Sequence, residues 1–191
     1  SALTDSSPMM FVAARFTIST LVLLPFAYKS FSGLTKRSLI DGFNLGVLLF
    51  LGFVFQTIGL KYTTATKSAF ITGTFVVFTP IFQTIIEKKF PSRANITGIL
   101  LVILGIIFLS SKGSSVFEIF HEIGASFNFG DFLTLLCAVF YALYIVYLDV
   151  ISHRNEFKYL TFSQIIVTAV LGYAAAFGFS TFEMEKIQFQ L

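Results

Sequence analysis

The sequence predicts an all-α fold: a polytopic membrane helix bundle of six transmembrane helices. Three observations lead there. Mean hydropathy is +0.85, with 55% hydrophobic residues against 12% charged, about half the charge that a water-soluble globule carries, roughly 25%. Apolar residues gather into six runs, each close to the ~20 residues a helix needs to cross a bilayer core. Gly, Ser, Pro and charged residues punctuate the runs at regular intervals, where backbone groups can meet water.

The runs are, in order, Met9 to Tyr28, Asp41 to Leu60, Ser68 to Ile86, Asn95 to Ser111, Asp131 to Leu148, and Leu160 to Phe179. All are continuously apolar, without the alternation of lipid-facing and lumen-facing residues that a membrane β-barrel requires, so helices are expected throughout. The first contains Arg15, about 10 Å along the helix from its start at 1.5 Å per residue. The second carries Gly42 and Gly46 at GxxxG spacing, then Gln56 and Thr57. The third holds Ser68, Thr72, Thr74, Pro80 and Gln83. Gly98 and Gly105 mark the fourth, Cys137 and three tyrosines the fifth.

The net charge of +3 comes from basic residues scattered between the runs rather than gathered into a stripe, which argues against nucleic acid as a partner. Alternate connections carry Lys29, Lys36, Arg37, Lys88, Lys89, Arg93, Arg154 and Lys158 on one side and Lys61, Lys67, Lys112 and Lys186 on the other. The richer side is cytoplasmic by the positive-inside rule, so both ends of the chain face outward. One cysteine gives neither a disulfide framework nor a paired metal-ligand spacing. The connection from Lys112 to Gly130 holds Glu118, His121 and Glu122, which reads as a solvated linker because no second histidine lies nearby. No metal and no cofactor is expected.

Candidate functional residues are the polar interruptions. An intramembrane charge is costly enough to imply a use, so Arg15 is expected to dock an anionic substrate group, the alternative being a guanidinium that snorkels to the interface or pairs with Asp5. Gln56, Thr72 and Gln83 offer uncharged hydrogen bonds and could line a cavity, although Ser and Thr also serve as interhelical glue. Pro80 removes a backbone hydrogen bond in mid-span and is a candidate hinge. Tyr141, Tyr144 and Tyr147 follow at three-residue spacing, a stripe that could stack on a substrate or pack in the core, with Tyr147 as an interface anchor. Gly42 with Gly46, and Gly98 with Gly105, are expected at close helix contacts. Asp131, Asp149 and Glu87 all fall near span ends, so proton coupling through a mid-span acid has no support. No P-loop, HExxH or Ser/His/Asp set is present, so neither an enzyme nor an ATP-driven pump is expected.

The segment FLGFVFQTIGLKYTTATKSAFITGTFVVFTPIFQTIIEKKFPSRANITGILLVILGIIFLSSKG, Phe50 to Gly113, resembles the second half of an EamA repeat of the drug/metabolite transporters. A helix ends in a Tyr-Thr turn (Tyr62, Thr63, Thr64, Ala65), the next carries Pro80 and closes on Glu87 and Lys88, and a Gly-spaced helix follows. A second segment, Gly130 to Phe177, is similar to the opening two helices of the family's second repeat. The resemblance implies ten helices in two five-helix repeats of opposite orientation, of which these would be helices two to seven. Residues 1–112 would then be a first repeat lacking its first helix, 113–129 a linker, and 130–191 the start of the second repeat.

Aligning FVAARFTIS with TFSQIIVTA brings Arg15 within one position of Gln164, which joins the candidate substrate contacts. The resemblance further implies a secondary permease that exports small organic metabolites or drugs, working by alternating access with substrate at the bilayer midplane. The implied setting is the bacterial inner membrane, with lipid and a small-molecule substrate as partners and a homodimer possible. The rival readings are a lipid-modifying membrane enzyme and a non-catalytic structural or assembly subunit.

Overall fold

A computed structural model describes residues 8–27, 35–88, 90–110 and 127–181. Among them are seven helices and no strand: α1 (Pro8–Ala27), α2 (Lys36–Tyr62), α3 (Ala65–Gly73), α4 (Phe75–Glu87), α5 (Arg93–Ser110), α6 (Phe129–Ser152) and α7 (Phe157–Thr181). Four stretches are long and apolar enough to cross a membrane: Lys36–Tyr62, Ala65–Ile86, Phe129–Ser152 and Phe157–Gly178. Met9–Pro25 and Asn95–Gly105 are shorter apolar helices. The linker acids, His121 and Asp5 fall outside the described residues, as does the Glu87 side chain.

The polar punctuation acts as caps. Thr35 accepts from the Ser38 amide at 3.1 Å and Thr64 from the Lys67 amide at 3.2 Å, opening α2 and α3. Ser92 accepts from the Asn95 amide at 3.2 Å and opens α5. Before α6, Asn128 and Asp131 bond reciprocally, each side chain accepting from the other's amide. Each cap satisfies an amide that would otherwise lack a partner in the first helical turn.

The third span is two helices rather than one. The break lies at Thr74, whose amide donates back to the Ile71 and Thr72 carbonyls and whose hydroxyl donates to Ile71 O at 2.6 Å. Pro80, the candidate hinge, sits inside α4, six residues beyond that break. That helix closes on Lys88, which holds a left-handed conformation with φ 56°.

The chain forms two compact units. The first comprises Ser1–Val54 and Tyr147–Leu191, the second Phe55–Val146, so α2 and α6 each contribute to both. In the first unit α1 packs along α7, with Val12, Phe16 and Ala169 buried among Leu49, Phe50, Phe53 and Ile165. Small residues permit the approach. A Cβ at Gly172 would lie 3.0 Å from Ala13, one at Gly42 2.4 Å from Ser163 Oγ, and one at Gly46 2.5 Å from Val167 Cβ. The expected GxxxG face on α2 is therefore a packing face against α7.

In the second unit Phe55 stacks on Phe140 with centroids 5.4 Å apart. Gly59 and Gly130 bring α2 and α6 together: a Cβ on the first would meet Thr134 Oγ1 at 2.7 Å, and one on the second Tyr62 at 2.8 Å. Gly98 and Gly105 behave otherwise. A Cβ at either would meet nothing within 4 Å, and Leu100, Leu101 and Leu104 around them are exposed. Their expected close helix contact is not made by any described residue.

Candidate functional site

Three helices of the second unit build an uncharged polar cluster. Gln56 stands on α2, Thr72 on the buried face of α3 with Lys67, Ser68 and Ile71, and Tyr141 on α6. The Gln56 amide donates to Thr72 Oγ1 at 3.5 Å, and the Tyr141 hydroxyl donates to Gln56 Oε1 at 3.3 Å. The fully buried Cys137, one turn before Tyr141, hydrogen-bonds with Thr72 and Tyr141. Phe75 sets its ring edge-on to Tyr141 with centroids 6.4 Å apart. An amide, a hydroxyl, a phenol and a thiol in a largely apolar setting can exchange hydrogen bonds with a neutral solute at little desolvation cost to charge.

Towards the opening of α6, α3 and α6 hold an ion pair that the turn after α2 supports. Lys67 Nζ lies 2.9 Å from Asp131 Oδ2, with side-chain exposures of 9% and 0%. The Thr63 hydroxyl donates to Asp131 Oδ1, and the Asn128 amide donates to Oδ2 at 3.1 Å. The Tyr-Thr turn thus has two uses: Thr64 caps α3, and Thr63 holds the carboxylate that faces α3.

The first unit has its own charge cluster. The Arg154 guanidinium grips Asp41 at both oxygens, from Nε at 2.9 Å and Nη2 at 2.7 Å. Asn155 donates to Asp41 Oδ2 at 2.9 Å and the Tyr147 hydroxyl to Oδ1 at 3.0 Å. Asn44 donates in turn to the Tyr147 hydroxyl at 3.4 Å. The hydrogen bonds to Asp41 hold the Arg154 guanidinium above its ordinary high pKa.

Arg15 is exposed on α1, its guanidinium carbon 4.8 Å from the Phe53 ring centroid and 5.9 Å from that of Phe16. Ring faces stabilise a cation in an apolar setting without neutralising it. Gln164 is buried on α7 of the same unit, where its carbonyl accepts from Thr168. Of the sequence candidates, then, the structure joins Gln56, Thr72 and Tyr141. Gln83 on α4 and Tyr144 on α6 are half-buried in the second unit. Pro80 lines an apolar groove of about 400 Å³ with Val77, Ile81, Thr84 and Ile99.

Sequence reasoning missed both ion pairs. By sequence Lys67 and Arg154 read as loop cations and Tyr147 as an interface anchor. In each case the signal was an acid at the opening of an apolar run, Asp41 and Asp131, which reads as a boundary marker until the three-dimensional neighbour is known. Among the described residues no group of three His, Cys, Asp or Glu side chains comes together in a way that could hold a metal.

The EamA-like transporter family matches residues 1–111. The chain belongs to that family. It is 36% identical over 170 residues to an uncharacterized transporter of Archaeoglobus fulgidus, covering 89% of this chain and 49% of the relative. It is 30% identical over 139 residues to an uncharacterized transporter of Acidianus ambivalens, covering 73% and 49%. The chain spans about half the length of these curated relatives. No solved structure gives a significant match. Family, relatives and apolar helices together make this a polytopic helical membrane protein of a transporter family.

Proposed function

We propose that the protein is a secondary permease of small organic solutes that works by alternating access between two repeats, exporting its substrate, and that it has no enzymatic activity. The observation that carries this reading is the hydrogen-bonded set Gln56, Thr72 and Tyr141, which gathers uncharged donors and acceptors from three apolar helices. Arg15 supplies a cation for an anionic group of the solute, with Gln83, Tyr144 and Gln164 as further contacts and Pro80 as the hinge. The domain scheme is the one the resemblance implies, a first repeat over 1–112 and the start of a second from 130. The membrane is the plasma membrane, the bacterial inner membrane or its archaeal counterpart, and the protein works there as a homodimer.

The test is solute flux in vesicles containing the full-length protein, screened first against a panel of amino acids, nucleobases, sugars and amphiphilic drugs. For any solute that moves, Gln56→Leu and Tyr141→Phe each lower the initial rate about tenfold, the loss of one to two hydrogen bonds to a bound solute. Arg15→Ala lowers it further for anionic solutes than for neutral ones. Unchanged rates at normal protein levels overturn the site, and the absence of flux across the whole panel overturns the permease reading.

A further inference from the structure

The ion pair at the opening of α6 and the polar cluster deeper in the second unit are both built by α3 and α6, with the turn after α2 joining the first and α2 itself the second. Thr63, Lys67 and Asp131 make the first layer; Gln56, Thr72 and Tyr141 make the second. Along α6 the layers are about 15 Å apart at 1.5 Å per residue, and Thr63 lies one residue beyond the end of α2, about two turns from Gln56. Tight backbone contacts fill the interval. Gly59 abuts Thr134, whose hydroxyl is turned onto the Gly130 carbonyl at 2.8 Å, and Ser68 and Ile71 are buried on α3. The Gly59 contacts close α2 against α6, whereas Lys67 is what bridges α3 to α6 at that end, which leaves the α3–α6 boundary as the approach for a solute.

What holds α3 to α6 at that end is charge. A buried ammonium and carboxylate stabilise a fold little better than apolar residues of the same size would, because both lose their hydration. A buried pair is better suited to a contact that must be strong in one state and released in another, since each partner regains water when they separate. The cost of leaving water and the gain of pairing nearly cancel, which makes the closed and open arrangements close in free energy.

We propose that Lys67 and Asp131, steadied by Thr63, form the latch that closes the outer approach to the Gln56–Thr72–Tyr141 cluster, so that substrate passes that end only when α3 and α6 part. This rests on the permease reading for its purpose, but its test does not depend on flux. Cys137 is a built-in reporter, fully buried and bonded within the cluster. Labelling is carried out on the full-length protein in intact cells, with any cysteine outside these 191 residues replaced by serine, using a membrane-impermeant maleimide applied from outside.

The wild-type thiol is protected. Asp131→Asn and Lys67→Gln each raise the labelling rate on the order of tenfold, as expected when a minor open state becomes the main one. Lys67→Arg keeps the charge and keeps the protection. Asp41→Asn, which breaks the ion pair of the first unit, leaves outside labelling at the wild-type rate. The latch is overturned if Asp131→Asn and Lys67→Gln label as slowly as wild type, or if Lys67→Arg opens the site as fully as Lys67→Gln. It is also overturned if Asp41→Asn exposes Cys137 to the same extent, because the effect is then general loosening. A failed permease reading would show instead as wild-type vesicles that move no solute, whatever the labelling pattern.

Discussion

Each of the two units pairs an aspartate near the start of a long helix with a cation from elsewhere in the chain: Asp41 with Arg154, just past the end of α6, and Asp131 with Lys67, in the first turn of α3. The surroundings differ. In the first unit Asp41 is gripped by Arg154, whose side chain is 35% exposed and which shares the carboxylate with Asn155 and Tyr147. In the second, Asp131 faces Lys67 with both side chains almost fully enclosed. The same pairing is thus a partly hydrated clasp in one place and a dry one in the other, and the comparison teaches that burial of the cation, more than the contact itself, decides what breaking the pair costs.

The largest expected effect follows from that difference. Asp131→Ala strips the enclosed Lys67 ammonium of the carboxylate beside it and also removes half of the reciprocal cap at α6. The expected loss is ~3–5 kcal/mol, the range for breaking a buried pair from one side. Asp41→Ala lets the Arg154 guanidinium turn to water, so its loss should be clearly smaller. Denaturant-dependent unfolding of the two variants in detergent, followed by the helical signal, gives the ranking. Equal losses would remove burial as the explanation.

These pairs also mark the limit of what the sequence discloses. The helical class, the six apolar runs and the α2 glycine face are all legible because each depends on spacing within one segment. Gly42 and Gly46 needed only the i,i+4 period to announce a packing face. Lys67 with Asp131 and Arg154 with Asp41 depend on neighbours far away in the chain, and charge patterning assigned the cations to loops before any neighbour could be known. The joined site behaved in the same way: Gln56, Thr72 and Tyr141 were legible as polar interruptions, but that they bond to one another, and that Cys137 bonds among them, required the fold. Thr74 is the remaining lesson, since the eye is drawn to Pro80 while the helix breaks two turns earlier, where a small residue and a hydroxyl can satisfy the freed carbonyls locally.

A second, intermediate effect sharpens the contrast through glycine. Gly46→Val places a branched side chain where even a Cβ would stand 2.5 Å from Val167. Overpacking of this kind costs ~1–3 kcal/mol, so the variant should lose thermal stability and folded yield. Gly105→Ala, where a Cβ meets nothing within 4 Å, should be stabilising by roughly 0.5–1 kcal/mol, because glycine is the poorer residue inside a helix. The two substitutions therefore move the melting midpoint in opposite directions. A loss at Gly105 equal to that at Gly46 would mean α5 has a close neighbour in the full-length protein, which would locate its partner surface.

The smallest expected effect concerns the end of α4. Lys88 holds φ 56° and ψ 31°, a conformation in which its Cβ crowds the following carbonyl and which costs an L-residue roughly 1–2 kcal/mol. Glycine occupies that position without the crowding and is the common terminator there. Its greater freedom in the unfolded chain offsets part of the gain, so Lys88→Gly should stabilise by about 0.5–1 kcal/mol, read as a rise in the melting midpoint, while Lys88→Ala should not. By the positive-inside count Lys88 also belongs to the basic connections expected to orient the spans, where its charge would act during insertion and its backbone only after folding. Lys88→Gly should accordingly raise the melting midpoint of the protein that folds while lowering, slightly, the fraction inserted in the right orientation. A protease-protection assay beside the melting curve separates the two, and a gain in both would show that the charge at this position has no part in orientation.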